Sequence, residues 1–191
     1  MADAIDDPWA SVTTVGGLPA DEVISTLQKS IRRGDVRNAV LCAAEMSSTS
    51  EDLDRLLWDR LHVIAVEDIG FGLPWAIATI VALDTARCRY EPGSHDRLLF
   101  AAHAVRLLAG SDKDRSNDEL VSVLRLDIAA GAVPEIPDHA LDMHTGRGRE
   151  MDRGLVHFLT EGALVVPEHA GRDRQWRTQL LERLGMDPDP A

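Results

Sequence analysis

Aromatic residues make up only 4% of the chain, and the apolar complement is dominated instead by Ala, Leu, Val and Ile. Such side chains favour helices that pack closely. Cysteine is nearly absent. Cys42 lies in an apolar helical run and Cys88 beside arginines, without any CxxC spacing, so neither a disulfide framework nor a zinc site is indicated. Basic residues are the minority, 20 against 32 acids, for a formal charge of −12. A phosphate backbone is bound through Lys and Arg that displace counterions, so most of this surface should repel nucleic acid. No apolar run approaches the roughly 20 residues needed to cross a bilayer, and the start MADAIDDPWA is acidic where an export signal is basic. The expectation is a cytoplasmic protein with no membrane contact.

Catalytic signatures are missing too. There is no GxxxxGK[ST], no strand feeding a glycine-rich turn into a helix, and no GxSxG; GRG at 146–148 has the wrong context and EPGSH at 91–95 reads as a turn. No catalytic residue, cofactor or metal is expected.

What remains is a pattern of helices. With 191 residues and 45% hydrophobic content, one domain with loose ends is the natural reading. Residues 1–20 form an acidic arm without periodicity, able to dock Trp9 or Val12, and Asp21 is placed to cap a first helix with Val23, Ile24, Leu27 and Ile31 on its apolar side. Gly34 ends it, and Asp35 caps a second helix whose Val36, Ala39, Val40 and Ala43 make a narrow face. A capping box, Ser48 with Glu51, precedes a helix in which Leu53, Leu56, Leu57, Leu61, Ile64 and Ala65 keep the 3.6-residue period. That helix ends on Glu67 and Asp68, against the negative end of its own dipole, so an arginine, the capping of the next segment or an interface must offset the cost.

Two runs, Trp75–Leu83 and Leu98–Ala109, are apolar on nearly every face and predict central helices, with subunit contacts to cover what one small body cannot. Ser116 and Glu119 form a second capping box before a helix carrying Leu120, Leu124 and Ile128, ended by Gly131. From Val133 to Glu168, prolines and glycines break every long period, and Arg174 to Leu184 places Trp176, Leu180 and Leu184 on one stripe. The fold expected is all-α: a compact bundle of about five to seven helices with a long loop-rich C-terminal segment wrapped over it. Its parts are an arm at 1–20, a helical domain at 21–170 and a short amphipathic helix and tail at 171–191.

The stretch ALDMHTGRGREMDRG, 140–154, could be a site, a polyanion loop or a connector. Asp142, Glu150 and Asp152 cancel Arg147, Arg149 and Arg153, which favours internal pairing. A weak DNA-binding role would use the arginines from 147 to 177, including Arg172, Arg174 and Arg177 beside Trp176, although solvated arginines on one helical turn are the plainer reading. The enzymatic alternative is an HD-type metal phosphohydrolase using His62, the His95-Asp96 pair and Asp127, whose imidazoles and carboxylates could hold a divalent ion. His139, Asp142 and His144 are a weaker metal set, and His103 reads as a core histidine.

Several stretches are recognisable together. QKSIRRGDVRNAV (28–40), AVEDIGFGLP (65–74), DKDRSNDEL (112–120) and the segment from PEIPDHALD to VVPE (134–168) resemble the C-terminal domain of the RarA/MgsA family of replication-associated AAA+ ATPases. The resemblance implies an all-α, clamp-loader-collar-like domain that joins copies into a homotetramer and carries no catalysis. It marks Lys29, Ser30, Arg32, Glu67, Asp68, Gly70, Pro74, Ser116, Asn117, Pro137, Pro167 and Glu168 as structural or interface positions. The implied partners are the chain itself and a separately encoded AAA+ ATPase, in replication-fork maintenance and recombination. The family's ATPase core has no counterpart before residue 20, its aromatic positions in the second helix are Leu41 and Cys42, and its Tyr-rich stretch is LVHFLT, 155–160.

Overall fold

The computed structural model describes residues 7–187. Among the described residues the chain is all-α, with nine α-helical segments and no strand; Thr13 and Pro19 form an isolated β-bridge. It divides into two compact units, one up to Ala132 and one from Val133. The acidic start of the arm and the proline-rich end lie outside the described residues.

The first unit holds six helices: α1 (Ala20–Arg33), α2 (Val36–Thr49), α3 (Glu51–Ile64), α4 (Ala76–Arg87), α5 (His95–Gly110) and α6 (Ser116–Ala129). The predicted stripe of α1 is buried at Val23, Leu27 and Ile31, and Gly34 ends the helix in the left-handed region at φ 74°. Asp35 caps α2 by accepting a hydrogen bond from the Asn38 amide at 3.1 Å. Ala39 and Ala43 are fully buried, which lets α2 pack closely against α1 and α5. Leu53, Leu57, Leu61 and Ile64 of α3 join them, each contributing about 1.5–3 kcal/mol by burial. Trp9, within a short 3₁₀ turn at Pro8–Ser11, and Val12, just after it, pack against this core.

Three helix starts differ from the sequence reading. Pro19, not Asp21, holds the cap position of α1, and Asp21 sits in the first turn beside Glu22, where both favour the dipole. Because α2 runs on through Thr49, Ser48 is inside it, and Ser50 caps α3 by accepting from the Leu53 amide at 3.2 Å. Arg115 occupies the cap position of α6, and the Asp114 side chain accepts from the Ser116 amide at 2.9 Å.

The two all-apolar runs are only half covered. Ala76 and Ile80 of α4 are buried, whereas Trp75, at its cap position, and Val81 are exposed; in α5, Ala101, Ala104, Val105 and Leu108 face inward and Leu99 faces out. His103, expected in the core, is exposed on α5, since the buried set 101, 104, 105, 108 leaves it on the opposite face. Helix α6 goes further: none of its residues is buried, and Leu120, Val121, Val123, Leu124, Leu126 and Ile128 are between 47% and 72% exposed.

The second unit contains a 3₁₀ turn (Asp138–Ala140), α7 (Gly146–Glu150), α8 (Leu155–His157) running into a π-helical turn at Phe158–Gly162, and α9 (Gln175–Arg183). The short helices raise the count above the expected range because each is too brief to leave a period in the sequence. In α9 the buried residue is Leu181; Trp176, Leu180 and Leu184, the predicted stripe, are exposed.

Candidate functional site

Three motif stretches meet where α3 ends. Beyond Ile64 the chain does not stop but widens into a π-helical turn, Ala65–Ile69, which carries Glu67 and Asp68. Such turns are rare and concentrate at special positions in folds. Asp68 is wholly buried, and its carboxylate accepts from Arg32 Nε at 2.6 Å, Gln28 Nε2 at 2.9 Å and Arg115 Nη1. Glu67 accepts from Arg32 Nη2 at 3.3 Å and Arg115 Nη1 at 3.1 Å. The two arginines supply the offset that a carboxylate pair at a helix end requires. Burial is the largest single influence on the Asp68 carboxyl and pushes it up, but the hydrogen bonds from Arg32, Gln28 and Arg115 together hold it below the usual carboxylate value.

The segment from Asp112 to Asn117 crosses this turn at backbone distance. The Asp114 amide donates to the Asp68 and Ile69 carbonyls at 3.1 and 3.2 Å, and Asn117 Nδ2 donates to the Val66 carbonyl at 3.3 Å. A Cβ on Gly70 would lie 2.4 Å from the Asp114 carbonyl oxygen, and one on Gly72 would lie 2.5 Å from that of Asp112. Gly70 also has φ +49°. Both glycines in EDIGFG are therefore explained by the crossing.

The remaining marked residues serve local roles. Ser30 accepts from Asn38 Nδ2 at 3.0 Å, tying α1 to α2, while Lys29 bonds Ser25 one turn earlier. Pro74 is exposed in the turn before α4, and Ser116 is exposed at the start of α6. Pro137 precedes the 3₁₀ turn, Pro167 follows a cis peptide bond, and Glu168 takes hydrogen bonds from Arg172 and Arg174.

Sequence reasoning missed a second ionic cluster. Asp54, on the first turn of α3, is 5% exposed and binds Arg87 of α4, Arg97 of α5 at 2.8 Å and Ser47 at 2.7 Å. Arg87 also reaches Asp84 at 2.7 Å and lies 4.8 Å from the centre of the Trp58 ring. One carboxylate thus ties α3 to α2, α4 and α5.

In the second unit, the 140–154 stretch is an internal connector. The Asp142 side chain accepts from the His144 amide at 2.9 Å and faces its Nδ1 at 3.1 Å; Thr145 caps α7 through the Gly148 amide at 3.0 Å. Arg153 binds both Asp138 oxygens, at 2.7 and 2.9 Å, and the Leu141 carbonyl at 3.0 Å. A Cβ on Gly148 would fall 1.9 Å from the Asp142 carbonyl, so only glycine fits there.

No known protein-family model matches the chain. Over 135 residues, 70% of its length, it is 33% identical to the replication-associated recombination protein A of Bacillus subtilis. Over that stretch the chain is homologous to RarA. It is also 33% identical, over 123 residues, to an uncharacterised AAA domain-containing protein of Mycobacterium tuberculosis. The matches span 31% and 26% of those two proteins, so the chain corresponds to less than a third of either. That is consistent with a RarA-like C-terminal region, the part that the motifs indicate.

Of the marked residues, Arg32, Glu67, Asp68, Gly70 and Asn117 converge on one junction, whereas those of the metal reading do not. His62 lies 3.7 Å from Asp84, and His95, Asp96 and Asp127 are exposed on α5 and α6. Among the described residues no group of three His, Cys, Asp or Glu side chains is placed to hold a metal. Among the same residues no helix is long and apolar enough to cross a membrane. On the outer side of α4 and α5, Leu83, Tyr90, Leu99 and Phe100, with Asp96 and His103, line an apolar groove of about 470 Å³.

Proposed function

We propose that the chain is a non-catalytic helical interaction domain, collar-like, that assembles with its own copies into a tetramer and receives a separately encoded AAA+ ATPase in replication-associated recombination and fork maintenance. The observation that carries this reading is α6, a helix with six large apolar side chains exposed and none buried. Burying such a face against a partner removes the cost of leaving it in water. The apolar groove on α4 and α5 adds a second uncovered surface. The ionic junction at Asp68 supports the same reading: both of its carboxylates are paired with arginines, as suits a structural tie. A charge of −12 keeps such an apolar-faced domain soluble and makes direct DNA contact weak. On this reading the protein works in the cytoplasm.

The test is to mix the full chain with a RarA-type ATPase and follow sedimentation and ATP turnover. Co-sedimentation, with no turnover by the chain alone, is the expected result; metal-dependent hydrolysis of nucleotides by the chain alone would replace the proposal with the phosphohydrolase reading.

A further inference from the structure

The second unit carries a small basic pocket that nothing above uses. Glu168 accepts hydrogen bonds from Arg172 Nη1 and Arg174 Nη2, and these with Arg177 and Thr178 line a cavity of about 130 Å³. That is several times the roughly 30 Å³ share of one water. Arg177 is fixed by donating from Nη2 to the Leu159 carbonyl at 2.8 Å. The neighbouring Asp173 is turned to the Gln175 amide, which it accepts at 2.9 Å. Two guanidinium groups bind the Glu168 carboxylate and a third, that of Arg177, lines the same cavity, setting three positive charges against one negative in a chain whose formal charge is −12. These contacts use one N–H of each guanidinium, and each has five to give.

We propose that this pocket binds a terminal phosphoryl group, either inorganic phosphate or the phosphate monoester of a small molecule. A phosphoryl dianion matches the two surplus charges, and its oxygens can accept from the guanidinium N–H groups and the Thr178 hydroxyl. Glu168 is the internal occupant. Its carboxylate is held below the usual range by Arg172 first and Arg174 second, which shows an oxyanion already stabilised at this place. A phosphodiester carries one charge and chain on both sides, and suits a cavity of this size less well.

The experiment titrates inorganic phosphate into the full chain at constant ionic strength and follows the amide resonances of residues 168–178. A saturable shift with a Kd of about 1 mM or tighter is expected. Glu168→Gln removes the competing carboxylate and should bind about fivefold tighter; Arg177→Gln should bind about tenfold more weakly. Glu182→Gln makes the same charge change on α9 and should leave affinity unchanged. Titration with glycerol phosphate then identifies the source: tighter binding than phosphate points to a monoester, equal or weaker binding to the free ion. The proposal is overturned by the absence of saturation, by equal tightening in Glu182→Gln, or by an oligonucleotide with only diester linkages outcompeting phosphate.

Discussion

Arg32 on α1 donates from Nε to Asp68 Oδ1 at 2.6 Å, joining two motif stretches that lie 36 positions apart in the chain. Arg115 reaches the same oxygen from the start of α6. Asp68 is thus the point at which α1, the end of α3 and the entry to α6 are tied.

Removing that carboxylate should leave two arginines facing a buried gap. Asp68→Ala is expected to lower unfolding free energy by about 3 kcal/mol, read by urea denaturation, since breaking a buried pair from one side leaves the other side uncompensated. Arg115→Gln should cost less, because its side chain is 30% exposed and Arg32 still serves Asp68. Equal stability of Asp68→Ala and wild type would remove the junction from the account.

The same group sets a pH dependence. The folded carboxyl titrates below its ordinary 3.8, so it binds protons less readily in the folded chain than in the unfolded one. Its contribution is therefore fully present above that ordinary value and is lost as pH falls through the lower folded one. Denaturant midpoints measured from pH 7 down to pH 3 should fall more steeply in wild type than in Asp68→Asn.

Gly70→Ala should separate conformational strain from collision. Gly70 has φ +49°, and a methyl group added there would lie 2.4 Å from the Asp114 carbonyl oxygen, whereas Gly93 has φ +74° with nothing within 4 Å of the same addition. Gly93→Ala should cost about 1 kcal/mol from the left-handed conformation alone. A larger loss at Gly70, measured by the same unfolding assay, confirms the close crossing; equal losses would deny it.

In the second unit, Gly148→Ala is expected to disrupt the connector, because its Cβ would overlap the Asp142 backbone. Hydrogen exchange should show lost protection within residues 138–162, with the first-unit helices α1, α2 and α5 unchanged.

Much of this architecture was legible in the sequence for a physical reason. The stripes of α1 and α3 face one core with a regular period, so Leu27, Ile31, Leu57 and Leu61 announce themselves, and the oddity of Glu67 and Asp68 at a helix end pointed to arginine partners. Helix starts were less legible because Ser48 and Ser50, or Asp114 and Ser116, are all competent caps, and the choice is made by how far the preceding segment runs. His103 was misplaced because α5 is apolar on nearly every side, so periodicity does not say which face turns inward. The Asp54 clamp left no signal, since its arginines lie 33 and 43 positions away and only the packing of α4 and α5 brings them together.

The most direct measurement is the mass of the full chain in solution by light scattering, for wild type and for a Leu120→Asp, Leu124→Asp variant. The account predicts a wild-type mass several times the 20.9 kDa of one chain and a shift towards that value in the variant, with helix content retained. A wild-type protein that stays at the single-chain mass at micromolar concentration, alone and with a RarA-type ATPase, would contradict it.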